Sequence, residues 1–154
     1  MSKATTERTT DLSRTVLCVD DEQRIDDVTA AIDAEGSLTA IEATTLEGAT
    51  ERLKEDSVVC VVTSYELTDG TGMDVIDAVR EHAPQVPSVL FTDRPPQEID
   101  TASFEETIVE YLNRGLPDAH DRLGFVTNDI IEHSAQVGFL RPDDEDERLA
   151  TLAE

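Results

Sequence analysis

The chain has 154 residues, 35 acidic and 12 basic, for a formal charge of −23 at pH 7; this is enough for one domain with a sizeable core and too little for two ordinary ones. Such a surface repels nucleic acid and anionic membranes. No apolar stretch approaches the ~18 residues of a membrane span, and the opening MSKATTERTTDLSR lacks the apolar segment of a signal peptide, so a cytoplasmic protein is expected.

Residues 1–14 read as a polar tail, and TVLCVD (15–20) as a buried strand. Ile25, Val28 and Ile32 then recur at helical spacing until Glu35 and Gly36 stop the helix. A shorter strand is expected over 38–42. Thr44 followed by Glu47 has the spacing of a capping box, and Leu46, Ala49 and Leu53 give the apolar stripe of a second helix. VVCVVTS (58–64) reads as the central strand. Met73, Val75, Ile76 and Val79 lie on one helical face, ended by Pro84 and Pro87. PSVLFTD (87–93) is a fourth strand, Pro95-Pro96 opens a short helix, and TIVEYL (107–112) is a fifth strand. A last helix runs from Asp118 through Leu123, Val126, Ile130 and Val137, with Gly138 and Pro142 marking its end. The remainder, 139–154, is an acidic tail in which 149–152 could form a terminal helical turn. Regular alternation of strand and helix implies an α/β domain over 15–138 with a parallel sheet covered on both faces.

Acid enrichment, few lysines and 4% aromatic residues suggest a halophilic setting, where salt screens like charges. The plainer explanation is an ordinary acidic protein with solvated helix faces and a charged DDEDE run at 143–147. Cys18 and Cys60 each sit inside an apolar run and read as buried small hydrophobes. The three histidines are scattered, and no metal-binding motif or phosphate-cradling loop is present.

The polar residues that interrupt this frame share one position. Asp20 and Asp21 end the first strand, Ser64 the third and Thr92 the fourth, while Arg114 follows the fifth. In an open α/β sheet the carboxyl ends of the strands converge on one crevice. An Asp-Asp pair alone would say little in an acidic chain, since such pairs commonly cap helices. Groups from four strands at one edge say more.

With VLCVDDE, SYELTDGTGMDVI, FTD and EYLNR in place, the chain resembles the receiver domains of two-component response regulators, the CheY-like family, over roughly residues 14–137. The resemblance implies a flavodoxin-like, doubly wound five-stranded parallel sheet in the order 2-1-3-4-5. It implies metal ligation by Asp20, Asp21 and the backbone carbonyl of Glu66, and a phosphorylation loop containing Ser64, Tyr65, Thr68, Asp69 and Gly72. The switch residues it implies are Thr92, Tyr111 and Arg114. The family's phosphoacceptor aspartate, however, is Ser64 here.

In such domains the aspartate attacks a phosphoryl group while a divalent cation neutralises the developing charge. A serine hydroxyl cannot form an acyl phosphate. Thr68 stands where the loop has proline, Arg114 where the family has lysine, and Gly115 where proline follows. With one carboxylate missing, attraction for Mg2+ falls, and Arg114 is expected to pair with Asp20 or Asp21 and partly replace the ion. Asp69 and Tyr65 are poor substitutes as phosphate acceptors, because neither ends the strand.

The expected function is therefore a receiver domain without catalytic residues, in two-component or phosphorelay signalling. It would act as a phosphorylation-independent interaction module, a pseudo-receiver that is not an enzyme. With no output domain following, its effect would come through docking on the fourth helix, fifth strand and fifth helix. The partner would be a histidine kinase, a downstream effector or a second copy in a homodimer. One alternative is an active receiver phosphorylated at an unusual residue. Another is a small flavodoxin-like enzyme or nucleotide binder, disfavoured because the first strand leads into DDEQR and not into glycine.

Overall fold

The computed structural model describes residues 14–99 and 108–138, with side chains described as far as residue 134. The elements are β1 (Thr15–Val19), α1 (Ile25–Asp33), β2 (Thr39–Ala43), α2 (Leu46–Glu55) and β3 (Cys60–Thr63). There follow β4 (Glu66–Leu67), β5 (Gly70–Thr71), α3 (Gly72–His82), β6 (Ser88–Thr92), a 3₁₀ turn (Pro96–Glu98), β7 (Val109–Asn113) and α4 (Ala119–Gly138). The main sheet has the order β2-β1-β3-β6-β7 and every pairing in it is parallel. Leaving aside the β4-β5 ribbon, this is the 2-1-3-4-5 order of a CheY-like fold.

Burial follows from position in that sheet. The central strands β3 and β6 are buried throughout, and β1 almost so, which is why they read as unbroken apolar runs. The edges β2 and β7 are only partly buried and carry Glu42 and Glu110. Asp33 shields the β2 edge, its Oδ1 accepting from the Ala40 N–H at 3.0 Å. Alternation along β1 splits the core. Val16 and Cys18 join Val28, Ile32 and Leu123 under α1 and α4, whereas Leu17 and Val19 join Ala49, Leu53, Val75 and Val79 under α2 and α3. Cys18 and Cys60 are both fully buried free thiols, and desolvation pushes each well above its ordinary pKa.

Several local expectations need correction. Thr45, not Thr44, caps α2, accepting from the Gly48 N–H at 2.9 Å, because the helix begins at Leu46. The true capping box lies elsewhere, between Thr71 and Asp74 at the start of α3. Strand β2 runs over 39–43 and β7 over 109–113, so that Leu38 and Ile108 lead into the strands and do not belong to them, while Thr107, the expected start of the fifth strand, lies outside the described residues. The turn after α1 is made at Gly36, whose φ of +78° lies in the left-handed region. Of the helix expected from Pro95-Pro96, the described part is the 3₁₀ turn. The tails 1–13 and 139–154, the helical turn at 149–152 and the side chain of Val137 lie outside what is described.

Candidate functional site

Register brings the polar residues together. Val19 pairs with Ala43 on one side and Thr63 on the other, so the chain leaves β1 and β3 at the same level. The Ser64 N–H donates to the Val19 carbonyl at 3.0 Å, and Asp20 N–H to Ala43 O at 3.3 Å. Thr92 ends β6 opposite Asn113, and the Arg114 N–H donates to Thr92 O at 3.1 Å. Asp20, Ser64 and Thr92 are buried, at 1%, 3% and 5% exposure.

The acid pair is held by two arginines. Arg114 Nη1 lies 2.9 Å from Asp20 Oδ2, with the side chains 9% and 1% exposed. Its guanidinium also lies over the Phe91 ring, 4.7 Å from the centroid, and Nη1 is 3.4 Å from the Phe91 carbonyl oxygen. The other Asp20 oxygen accepts from the Asp21 N–H at 2.7 Å. Asp21 turns back on the start of α1: Oδ1 accepts from the N–H groups of Gln23 and Arg24, each at 2.9 Å, and Oδ2 from Arg24 Nε at 3.0 Å. Burial raises the Asp21 pKa, but the hydrogen bonds and charge of Arg24 outweigh it, so the carboxyl stays below its ordinary value. Arg24 Nε also lies 3.9 Å from Asp20 Oδ1.

Beyond Ser64 the chain forms the β4-β5 ribbon. Glu66 lies in β4, and its carbonyl accepts from the Ser64 hydroxyl at 3.3 Å. Thr68 and Asp69 are exposed at the ribbon's turn. Asp69 reaches across to α2, where its two oxygens accept from the N–H groups of Leu46, at 2.7 Å, and Glu47, at 3.1 Å. These bonds hold its carboxyl below its ordinary pKa. Gly72 closes the loop by donating its N–H to Tyr65 O at 2.6 Å. A Cβ there would run into the Ser64 carbonyl oxygen and lie 3.1 Å from Leu90 Cδ1, so the site permits only glycine. Asp21, Glu22, Gln23, Thr44, Thr45 and Thr68 line a groove at the mouth.

Tyr111, half-buried on β7, donates its hydroxyl to the Arg94 carbonyl at 2.8 Å. Desolvation, then the negative charge of Asp93, raises its phenol pKa. Thr92 Oγ1 accepts from the Arg94 N–H at 3.2 Å.

Sequence reasoning missed Arg24 and Arg94. Both were findable: Arg24 stands three residues after Asp21, the spacing of a helical ion pair, and Arg94 directly follows the FTD motif. In a chain with only 12 basic residues, a cation beside a motif is informative.

A parallel five-stranded sheet with an acid pair, a hydroxyl and a cation at its carboxyl edge defines the receiver class of signalling module. The response regulator receiver domain model matches residues 16–120, more than half the chain, and the chain belongs to that family. Its members are signalling modules, not classical enzymes; they typically bind Mg2+ and interact with other signalling proteins. Solved structures agree on the fold. A CheY-like receiver domain protein from Methanospirillum hungatei JF-1 is 15% identical, with a TM-score of 0.69, covering 80% of this chain and 97% of that one. The receiver domain of Francisella response regulator 1452 is 15% identical with a TM-score of 0.67, covering 79% and 98%. The beryllofluoride-activated NtrC4 receiver domain dimer is 24% identical with a TM-score of 0.66, covering 78% and 98%. Comparison with curated proteins gives no match. Among the described residues no helix is long and apolar enough to cross a membrane.

Proposed function

We propose that this receiver domain signals without phosphoryl transfer to residue 64, as a pseudo-receiver whose partners read a fixed conformation. One observation carries the reading: the oxygens the family resemblance assigns to the metal are already engaged by protein groups, Asp20 Oδ2 through an ion pair with Arg114 and not through a hydrogen bond. Arg114 and the Asp21 N–H hold Asp20, Arg24 and two backbone N–H groups hold Asp21, and the Ser64 hydroxyl donates to the Glu66 carbonyl. An octahedral cation that asks for free oxygens does not fit this set. Mg2+ affinity is correspondingly weakened, and the charge it would supply comes from Arg114 and Arg24. No group of three or more potential metal-binding side chains occurs among the described residues.

The chemistry of Ser64 supports the same reading. A serine nucleophile needs a base beside it, and this hydroxyl points its proton at a carbonyl oxygen. Asp69 is a poor alternative acceptor, because both its oxygens are engaged at the start of α2. We take 15–138 as the receiver unit and assign the docking face expected on the fourth helix, fifth strand and fifth helix, of which β7 and α4 are the last two, in a cytoplasmic setting. The charge of −23 fits a salty, halophilic interior and a partner other than nucleic acid or membrane.

The test is intact mass spectrometry after incubation with Mg2+ and a small-molecule phosphodonor in high salt, beside a Ser64→Asp variant. Labelling of the variant alone supports the proposal. Labelling of the natural chain overturns it and points to another acceptor residue.

A further inference from the structure

Arg94 makes contacts in three directions. Its backbone N–H donates to Thr92 Oγ1, and its carbonyl accepts from Tyr111, so one peptide segment serves both switch positions. Its guanidinium carbon lies 4.2 Å from the centroid of the Tyr65 ring. Nη2 pairs with Glu66 Oε2 at 2.8 Å and Nη1 with Glu98 Oε1 at 3.4 Å. Nε is buried and makes no hydrogen bond, so the side chain is held by the ring and the two acids. Tyr65 and Glu66 are the two residues directly after Ser64.

We propose that Arg94 is a latch that ties the loop after Ser64 to Tyr111, so that the switch tyrosine keeps its position with no phosphoryl group in the crevice. This rests on the reading that residue 64 is not phosphorylated and adds the device by which the conformation is fixed. Tyr111 can keep its hydrogen bond only while the Arg94 carbonyl stays in place. That carbonyl sits in an irregular segment between β6 and the 3₁₀ turn, outside any sheet ladder, so the side-chain anchors position it. The ring contact is a cation lying over the face of an aromatic, an attraction less exposed to salt than a surface ion pair. Glu66 and Glu98 are 68% and 57% exposed. The latch is therefore weaker on its solvent side and firmer on its Tyr65 side.

The chain has two tyrosines and no tryptophan, so a Tyr65→Phe variant leaves Tyr111 as the single phenol while keeping a ring under Arg94. Fluorotyrosine incorporated into that variant is expected to give one narrow ¹⁹F resonance. Adding Arg94→Gln should shift that resonance or broaden it by exchange, and Arg94→Lys, which keeps a cation over the ring, should restore part of the original position. Amide exchange of β1 and β3 reports whether the fold survives. If Arg94→Gln loses core protection, Glu66→Gln gives a milder test, with a smaller shift in the same direction expected. A Tyr111 resonance unmoved in both variants overturns the latch. These samples contain neither phosphodonor nor metal, so the outcome is independent of the chemistry at Ser64. If Mg2+ then moves the resonance while Arg94 is intact, the metal-independent reading of the crevice fails and the latch stands.

Discussion

Replacing Arg114 by Met tests the centre of the site. The substitution strands Asp20, a carboxylate only 1% exposed, whose Oδ2 has Arg114 Nη1 as its partner at 2.9 Å. Removing one member of a buried pair costs about 3–5 kcal/mol. Met keeps a stem against Phe91, where a sulfur–ring contact returns roughly 0.3–1.5 kcal/mol, so a net loss of about 2–4 kcal/mol is expected in the free energy of unfolding. At roughly 2–4 °C per kcal/mol for a domain near this size, melting falls by about 5–15 °C. Urea denaturation is the assay, with Asp20→Asn added to the Arg114→Met chain as the second step. Removing both charges should recover much of the loss, because the penalty lies in the unpaired ion. Added Mg2+ should raise the midpoint of the single variant, in which an Asp20 oxygen is freed, and leave the natural chain where it is. The cost should also persist at high salt, since a buried pair is screened far less than a surface one. A single variant within ~0.5 kcal/mol of the natural chain, or a double variant no better than the single, would refute the argument.

Two further outcomes follow from the loop after β3. Gly72→Ala should destabilise by about 3 kcal/mol or more, since the new Cβ meets backbone at Ser64 and the strand end must move. Gly70→Ala meets side-chain atoms and not backbone, Leu46 Cδ2 at 2.8 Å and the capping Asp74 Oδ2 at 2.9 Å, and should cost less; equal urea midpoints for the two variants would contradict the geometry. For pH, Asp69 in the unfolded chain takes up its proton near the ordinary value of 3.8, but in the folded chain only at lower pH. The unfolded state then binds more protons in that interval, so this contribution is full above about pH 4 and is lost on acidification. Asp21 acts in the same sense. Asp69→Ala should flatten the acid limb of a plot of urea midpoint against pH, and an unchanged limb would rule out the cap at α2.

How much was legible depended on whether a residue's role was local. Buried strands announced themselves, because VLCV, CVVT and SVLFT must be apolar on both faces of a covered sheet. The two edge strands, with Glu42 and Glu110 among their residues, were drawn to include Leu38 and Ile108, which lie just outside them, because an edge strand tolerates charge and the pattern weakens there. The capping box was assigned to Thr44 and Glu47 on spacing alone. In the fold the next residue, Thr45, takes the cap and Asp69, from a distant ribbon, supplies the remaining acceptors. A contact across 22 or more residues leaves no periodic trace. The ribbon itself, two residues a side, is too short to have one.

The sequence by itself determined the fold class, the strand order through the family resemblance, and the roll of residues at the carboxyl edge. Each of those is encoded in local apolar periodicity or in a motif within a few residues. The pairing of Arg114 with the acid pair was expected from the sequence, and the Arg24–Asp21 pair is local, but tertiary structure alone decided which acid Arg114 takes. It put Arg114 on Asp20, gave the Ser64 hydroxyl to the Glu66 carbonyl, and joined Arg94 to Tyr65, Glu66 and Tyr111. The physical reason is that the sheet register fixes which strand ends meet, and only once they have met can a buried carboxylate find its particular cation.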